Sequence, residues 1–272
     1  MGYHADLGAF ALNFPLSHER TIMDAHQQRL QLQLAFLGLY THVRERPWGL
    51  LLYNTENPNY YEANGARHIR TDDPDATIEE IVRFYHTRRL TPRVIVDGAT
   101  QPADFHTRLE AHGFECDQNN YRIMVWQGDR PPLPTLPDGV QIRRATLEEV
   151  EAIVTIEAED SPWSGTDWLR RRTQTLLAAP SVRYFIAWVD GQPAATAMCF
   201  QTEEAGLIES VATRPAFRRR GLASAIIQQI QSDSRVPLFL EVEDEGAERI
   251  YARRGFVLAA HAPEWQCWLP AD

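Results

Sequence analysis

The chain has 272 residues, enough for two domains at about 100–200 residues each. Apolar residues make up 44% and charged residues 24%, which excludes a disordered or low-complexity chain. With 27 Lys and Arg against 37 Asp and Glu, the net charge is −10, and this acidic balance argues against a nucleic-acid binder.

The N-terminal MGYHADLGAF has no basic region leading into an apolar run, so it does not read as a secretory signal. Gly2 is followed by Asp6 where a myristoylation motif needs Ser or Thr. No apolar run approaches a membrane-spanning length. Cys116, Cys199 and Cys267 are odd in number, far apart and fit no metal spacing, so they are expected as buried thiols in a reducing compartment. These readings place the chain in the cytoplasm.

In chain order, residues 24–40 have helical periodicity. WGLLLYN (48–54) reads as a strand, and NPNYYEANGARH (57–68) as a surface turn rather than a ligand loop. ATIEEIVRFYHTRRL is a helix, PRVIVDG a strand, PADFHTRLEAH a helix ended by Gly113, and NNYRIMVW a strand. His68, His86 and His106 are scattered and read as structural or exposed. QGDRPPLPTLPDG (127–139) holds four prolines and two glycines, which exclude helix and central strand. It reads as a linker between domains 1–126 and 140–272.

Beyond it, VQIRRA is a strand, and Thr146 with Glu149 forms a capping-box signature ahead of an apolar helical stripe. DWLRRRTQTLLA is a second helix. VRYFIAWV and PAATAMCFQ are strands joined at Asp190-Gly191, a strong hairpin signal. LIESVAT is a strand ending at Pro215, and a helix opens at Gly221. PLFLEVE is a strand, EGAERIYARR a helix stopped by Gly255, and FVLAA and WQCWL two closing strands. The succession predicts an α+β layered fold, a mixed sheet flanked by helices. The stretches 89–115 and 234–257 share the order Pro, strand, acidic turn, helix, Gly-Phe, which suggests an internal duplication.

The chemistry concentrates in RRRGLASA (218–225). A helix N-terminus exposes unpaired N–H groups and partial positive charge, and a glycine admits an anion close to the backbone. Strand, basic loop, glycine and helix thus suit a phosphate or pyrophosphate. A dinucleotide GxGxxG and a GxxxxGK[ST] phosphate loop are both absent.

Arg218-Arg219-Arg220-Gly221-Leu222-Ala223 resembles the Arg/Gln-x-x-Gly-x-Gly/Ala cofactor motif of the GNAT family of N-acetyltransferases. The preceding strand and Pro215 sit where that family has them, and Ala247, Tyr251 and Gly255-Phe256 resemble its second motif. The resemblance covers about 140–269. It implies a GNAT-like fold, mostly antiparallel, with two copies in tandem, and acetyl-CoA as cofactor.

It further implies that backbone amides from Arg219 through Ser224 hold the pyrophosphate, and that Val211, Ala212 and Thr213 pair with the pantetheine arm as an added strand would. An N–H near Val211 would stabilise the thioester oxyanion. Tyr251 matches the family's general acid. Glu209 is the candidate base, directly or through water, with Glu241 and Glu243 on the neighbouring strand as alternatives. Asp244 stands where the family often carries Asn; ionised, it accepts a hydrogen bond from pantetheine but cannot donate one. Trp163 and Trp168 are candidates for the acceptor pocket, with a core role the alternative for each. No metal is implied.

The first half lacks the cofactor motif, and Leu109 replaces Tyr251 in the repeat, so it reads as a degenerate copy without cofactor. The expected function is acetyl transfer to a primary amine, small molecule or protein, with no nucleic-acid or membrane partner. The alternative is a non-catalytic acyl-CoA-binding regulatory module.

Overall fold

The computed structural model describes residues 22–160 and 166–271. Trp163 and the N-terminal stretch inspected for targeting signals lie outside them. The chain forms two compact units. Among the described residues, unit 1 takes 22–24, Leu37–Tyr121 and 261–271, and unit 2 takes Ala25–Phe36 and Arg122–Ala260. The division differs from a simple halving: the first helix, α1 (Ile22–Leu37), gives most of its length to unit 2.

Unit 1 opens with a hairpin, β1 (His42–Arg46) and β2 (Gly49–Tyr53), followed by β3 (Gly65–Arg67), α2 (Pro74–His86), β4 (Arg93–Val96), α3 (Phe105–Ala111) and the start of β5 (Glu115–Trp126). Helix α2 starts where Asp73 accepts from the Ala76 N–H at 3.1 Å, with Pro74 in the first turn. Its buried face, Ile78, Ile81, Phe84 and Tyr85, packs with Leu51, Val94 and Phe105. Strands β1 and β3 were not foreseen. HVRER is charged and mostly exposed, as suits a protected edge strand, and β3 has only three residues.

Unit 2 contains β6 (Val140–Arg144), α4 (Val150–Asp160), α5 (Thr166–Ala178), β7 (Val182–Val189), β8 (Gln192–Gln201), β9 (Gly206–Thr213), α6 (Leu222–Asp233), β10 (Leu238–Val242) and α7 (Glu245–Ala252). The mixed sheet and its flanking helices are those expected for residues 140–252. The Thr146–Glu149 capping box forms. The β7–β8 turn uses Asp190 at φ +48° and Gly191 at φ +77°, the left-handed pair this hairpin needs. The strand order is β6-β7-β8-β9-β10-β5, antiparallel except for β9 beside β10. Ile226, Ile227 and Ile230 of α6 pack on Ala195, Ala197 and Leu240. Residues 127–139 form no helix or strand. Their Pro131 and Pro132 carbonyls accept from Ser232 on α6 at 2.9 and 3.2 Å.

The two closing strands expected at the C-terminus are one, β11 (Val257–Trp268). Its HAPE centre has no glycine, and an extended strand tolerates a lone proline where the N–H is not needed. The strand ends cross between units. Arg122–Trp126 of β5 pairs antiparallel with β10 in unit 2, whereas 265–268 of β11 pairs antiparallel with β4 in unit 1. Each half of the chain therefore lends its last strand segment to the other half's sheet.

This exchange corrects the cysteine reading. Cys116 and Cys267 form a disulfide, with Cα atoms 4.1 Å apart, and only Cys199 remains a buried free thiol. A sequence separation of 151 hid the pair, because only the returned strand β11 brings Cys267 to β5. The expectation of three buried thiols gives way to one disulfide and one buried thiol. Constraint on so long an unfolded loop stabilises by about 2–5 kcal/mol. Urea denaturation should show a loss of that order on adding reductant, and no reductant effect in Cys116→Ala.

Candidate active site

The β9–β10 ladder is short. Leu238 pairs with Gly206 and Phe239 with Leu207, and the ladder goes no further. Beyond it β9 continues to Thr213 and β10 to Val242, leaving an opening between two parallel strands. A bulge shapes the β9 side. Between the pairs Met198↔Glu209 and Thr196↔Ala212, β9 advances three residues while β8 advances two. Ser210 takes up the irregularity at φ +54°. Ile208 and Val211, three apart, consequently both pack on the α6 side.

After β9, a single 3-10 turn at Pro215–Phe217 leads to Arg219 at φ +63° and Gly221 at φ +75°. Gly221 is the N-cap of α6, which has no side-chain cap. A Cβ built on Gly221 would meet nothing within 4 Å. The space beside the Gly221 backbone is therefore open, and the first α6 amides, at Leu222, Ala223 and Ser224, have no side-chain cap and the positive end of the helix dipole behind them. The Leu222 side chain is buried in the core, so only its backbone is available. The three arginines are not equivalent. Arg218 donates to the Thr213 carbonyl at 3.0 Å and pairs with Asp160 at 2.7 Å. Arg220 lies over the Phe217 ring at 5.4 Å.

Tyr251 and Ala247 of α7 pack on the same core as Val211 and Phe217. Tyr251 stands edge-on to Phe256 at 6.0 Å. Burial first, and then the Glu209 charge, push its phenol up to about 12. The structure thus brings Tyr251, Glu209 and the α6 entrance to one region. Asp244 caps α7, its Oδ1 accepting from Gly246 N–H at 2.6 Å and Ala247 N–H at 3.0 Å. Those two amides hold its carboxyl below the usual aspartate range. Glu243 is exposed, and its carbonyl accepts from Arg122 at 2.9 Å.

The opposite face of the sheet carries charge that the sequence reading missed. Arg172 of α5 is buried, with Nη2 donating to Ser210 Oγ at 3.1 Å and Nη1 to Glu157 of α4 at 3.3 Å and to the Tyr184 hydroxyl at 3.4 Å. Burial pushes the Glu157 carboxyl up against the pull of Arg172. Trp168 is buried here, its ring 5.7 Å from the Arg172 guanidinium. Arg29 of α1 is also buried and pairs with Glu241 of β10. A signal existed for both arginines. Arg172 stands four residues after Trp168 and four before Leu176, and Arg29 stands three before Leu32 and seven before Phe36. All four of these neighbours are buried. An arginine inside an apolar stripe needs a partner. Removing the guanidinium strands a buried carboxylate, so Arg172→Met should lower unfolding stability by about 3 kcal/mol. Equilibrium urea denaturation measures it.

Unit 1 has the same local succession, β3, α2 and parallel β4, but its equivalent gap is closed. Gln101 N–H donates to the Ile69 carbonyl at 2.7 Å, and Thr71 N–H donates to Gln101 O at 3.1 Å. His68 Nδ1 bridges to Asp97 at 2.9 Å. The α2 N-terminus is already capped by Asp73 and is flanked by Asp72 and Asp75.

Among the described residues no helix is long and apolar enough to cross a membrane. No group of three or more His, Cys, Asp or Glu suited to a metal ion occurs among them either. A mixed sheet splayed between two parallel strands, with an uncapped basic helix entrance beside the gap, defines a GNAT-like fold. The chain is similar over 94% of its length to 98% of a GCN5-related N-acetyltransferase from Kribbella flavida, at 20% identity and TM-score 0.64. Over 84% of its length it is similar to 93% of a conserved protein of unknown function from Staphylococcus epidermidis, at 12% identity and TM-score 0.62. No curated protein matches the sequence. Residues 150–256 match the acetyltransferase (GNAT) family model, and the chain carries a GNAT-family acetyltransferase domain there.

Proposed function

We propose that unit 2 is an acetyl-CoA-dependent N-acetyltransferase acting on a primary amine by direct attack. The observation that carries this reading is the contrast between two helix entrances in one chain. At α6 the N-cap is a glycine with open space around it, beside arginines and a strand gap. At α2 the cap is a carboxylate and the gap is closed. An anionic pyrophosphate fits the first and is repelled by the second. Unit 1 is accordingly a GNAT-like copy without cofactor.

The donor set fits acetyl-CoA. Amides from Arg219 to Ser224 hold the pyrophosphate, with Arg219 and Arg220 adding charge while Arg218 braces Thr213 against Asp160. The backbone of Val211, Ala212 and Thr213 pairs with the pantetheine arm. Bound acetyl-CoA supplies the activated acetyl group. The Val211 N–H donates to its carbonyl oxygen as negative charge develops there. Glu209 takes the proton lost by the acceptor nitrogen, directly or through water. The nitrogen lone pair forms the new C–N bond, the C–S bond breaks, and Tyr251 donates toward the departing sulfur. Asp244, with Oδ1 engaged by α7 amides, keeps Oδ2 for the pantetheine amide.

Calorimetric titration of acetyl-CoA, followed by thiol release with spermidine, kanamycin and N-acetyl-lysine amide, tests the reading. Binding with release by one amine class supports it. Binding with no turnover of any amine favours a regulatory acyl-CoA-binding module, and absence of binding rejects the cofactor assignment.

A further inference from the structure

The ladder between β9 and β10 fixes what faces what in the opening. Gly206 pairs with Leu238 and Leu207 with Phe239. Two residues on, the same parallel register brings Glu209 level with Glu241. Leu238, Leu240 and Val242 all point into the α6-side core, so Glu241 projects from the other face of β10. That is the face where it meets Arg29 from α1. The carboxylates of Glu209 and Glu241 thus stand at the opening, with Arg29 on Glu241 and Arg172 on the neighbouring Ser210.

Glu241 is only half used by its partner. Oε2 receives the Arg29 Nη2, whereas Oε1, although buried, has no hydrogen-bond partner among the described residues. A buried carboxylate oxygen left without a donor is costly, and such an atom in a functional region calls for an explanation. The Arg29 side chain is 4% exposed. It fixes the carboxylate plane and so the direction in which Oε1 points.

We propose that Glu241 is the binding residue for the acceptor's ammonium group, that Oε1 accepts its hydrogen bond, and that Arg29 is the positioning residue that aims Glu241. The inference rests on the acetyl-transfer reading and deepens it. It separates two roles that one carboxylate would otherwise share. Glu241 holds the cation and stays an ion pair with Arg29 throughout. Glu209, across the gap, takes the first ammonium proton; the freed lone pair forms the C–N bond as the C–S bond breaks, and the second N–H proton replaces the one that Tyr251 gives to the sulfur. It also gives α1 a part in the site, although this helix lies far in sequence from residues 150–256.

The test uses the full chain, acetyl-CoA, and spermidine, kanamycin and N-acetyl-lysine amide as acceptors. For the amine that wild type acetylates, Glu241→Gln is expected to lower kcat/KM by at least about tenfold, mostly through the amine KM. Its Kd for acetyl-CoA should stay within about twofold of wild type, which also reports that the variant is folded. Arg29→Met is expected to follow Glu241→Gln, and Arg29→Lys to recover part of the loss. A purely structural ion pair would instead lower acetyl-CoA affinity and kcat together and leave the amine KM unmoved. The proposal is overturned if Glu241→Gln keeps wild-type kcat/KM, or if acetyl-CoA-loaded wild type acetylates none of the three amines. Failure of wild type to bind acetyl-CoA rejects the underlying reading instead, so the two failures are distinguishable.

Discussion

Tyr251→Phe should lower kcat by about a hundredfold to ten-thousandfold, the range for loss of one positioned proton donor, and leave the acetyl-CoA Kd unchanged. The phenol sits in apolar company with its ring edge-on to Phe256, and phenylalanine preserves that packing. Only the hydroxyl is removed. The pH dependence has a definite sign. Burial and the Glu209 charge raise the phenol to about 12, so the donor form persists over the whole working range. Wild-type kcat should rise with pH as the acceptor amine loses its proton, and the raised phenol moves any alkaline fall to higher pH than an ordinary tyrosine would give. Stopped-time thiol-release assays over that range, on wild type and variant, measure both. A fall in wild type at or below the pH of an ordinary tyrosine would remove Tyr251 from the donor role.

Gly221→Glu should weaken acetyl-CoA binding by more than about a hundredfold, through backbone strain and through charge. The two effects can be separated. A side chain at φ +75° costs about 1–2 kcal/mol of backbone strain, which a folded domain of ordinary stability survives. The space around the new Cβ is open, so no clash adds to that cost. Charge does more of the damage. A glutamate there reaches the free α6 amides and caps them itself, placing a negative charge where the pyrophosphate belongs. Each charge-assisted bond so displaced is worth about 1.5–3 kcal/mol. Gly221→Ala carries the strain without the charge and should lose less than about tenfold. Calorimetric titration of the two variants, with thermal melts as a folding control, separates them. Equal losses in Ala and Glu would mean that backbone geometry, not anion binding, is what Gly221 provides.

Local signals carried most of unit 2 and the cofactor end of the site. The capping box at Thr146, the Asp190-Gly191 turn and the Gly255 stop are short-range chemistry, and each forms as read. Gly221 opens α6 and Tyr251 stands on α7, with β10 between them, an order that the motifs already show. What stayed hidden depends on distant pairing. No window of sequence reveals that β11 returns to β4, so the Cys116–Cys267 bond was invisible. The Arg29–Glu241 pair spans 212 residues and was equally out of reach. Glu157 and Arg172 were legible in part, as charges inside apolar helical stripes, but nothing local paired them. Trp168, read as lining the pocket or the core, is buried beside Arg172. The β9 bulge left a trace too, in the apolar spacing of three from Ile208 to Val211 where a regular strand would show two.

The exchanged strand ends set a limit on how such a chain can change. The segment pairing with β10 is encoded before the proline stretch, and the one pairing with β4 is encoded at the far end. A deletion that discards residues 1–126 removes the sheet neighbour β5 of β10 along with α1 and its Arg29. The first half therefore cannot be discarded without taking part of the second unit's sheet with it. The first half is retained as an obligatory part of the second half's architecture. Its surface is free to diverge so long as its final strand still crosses over.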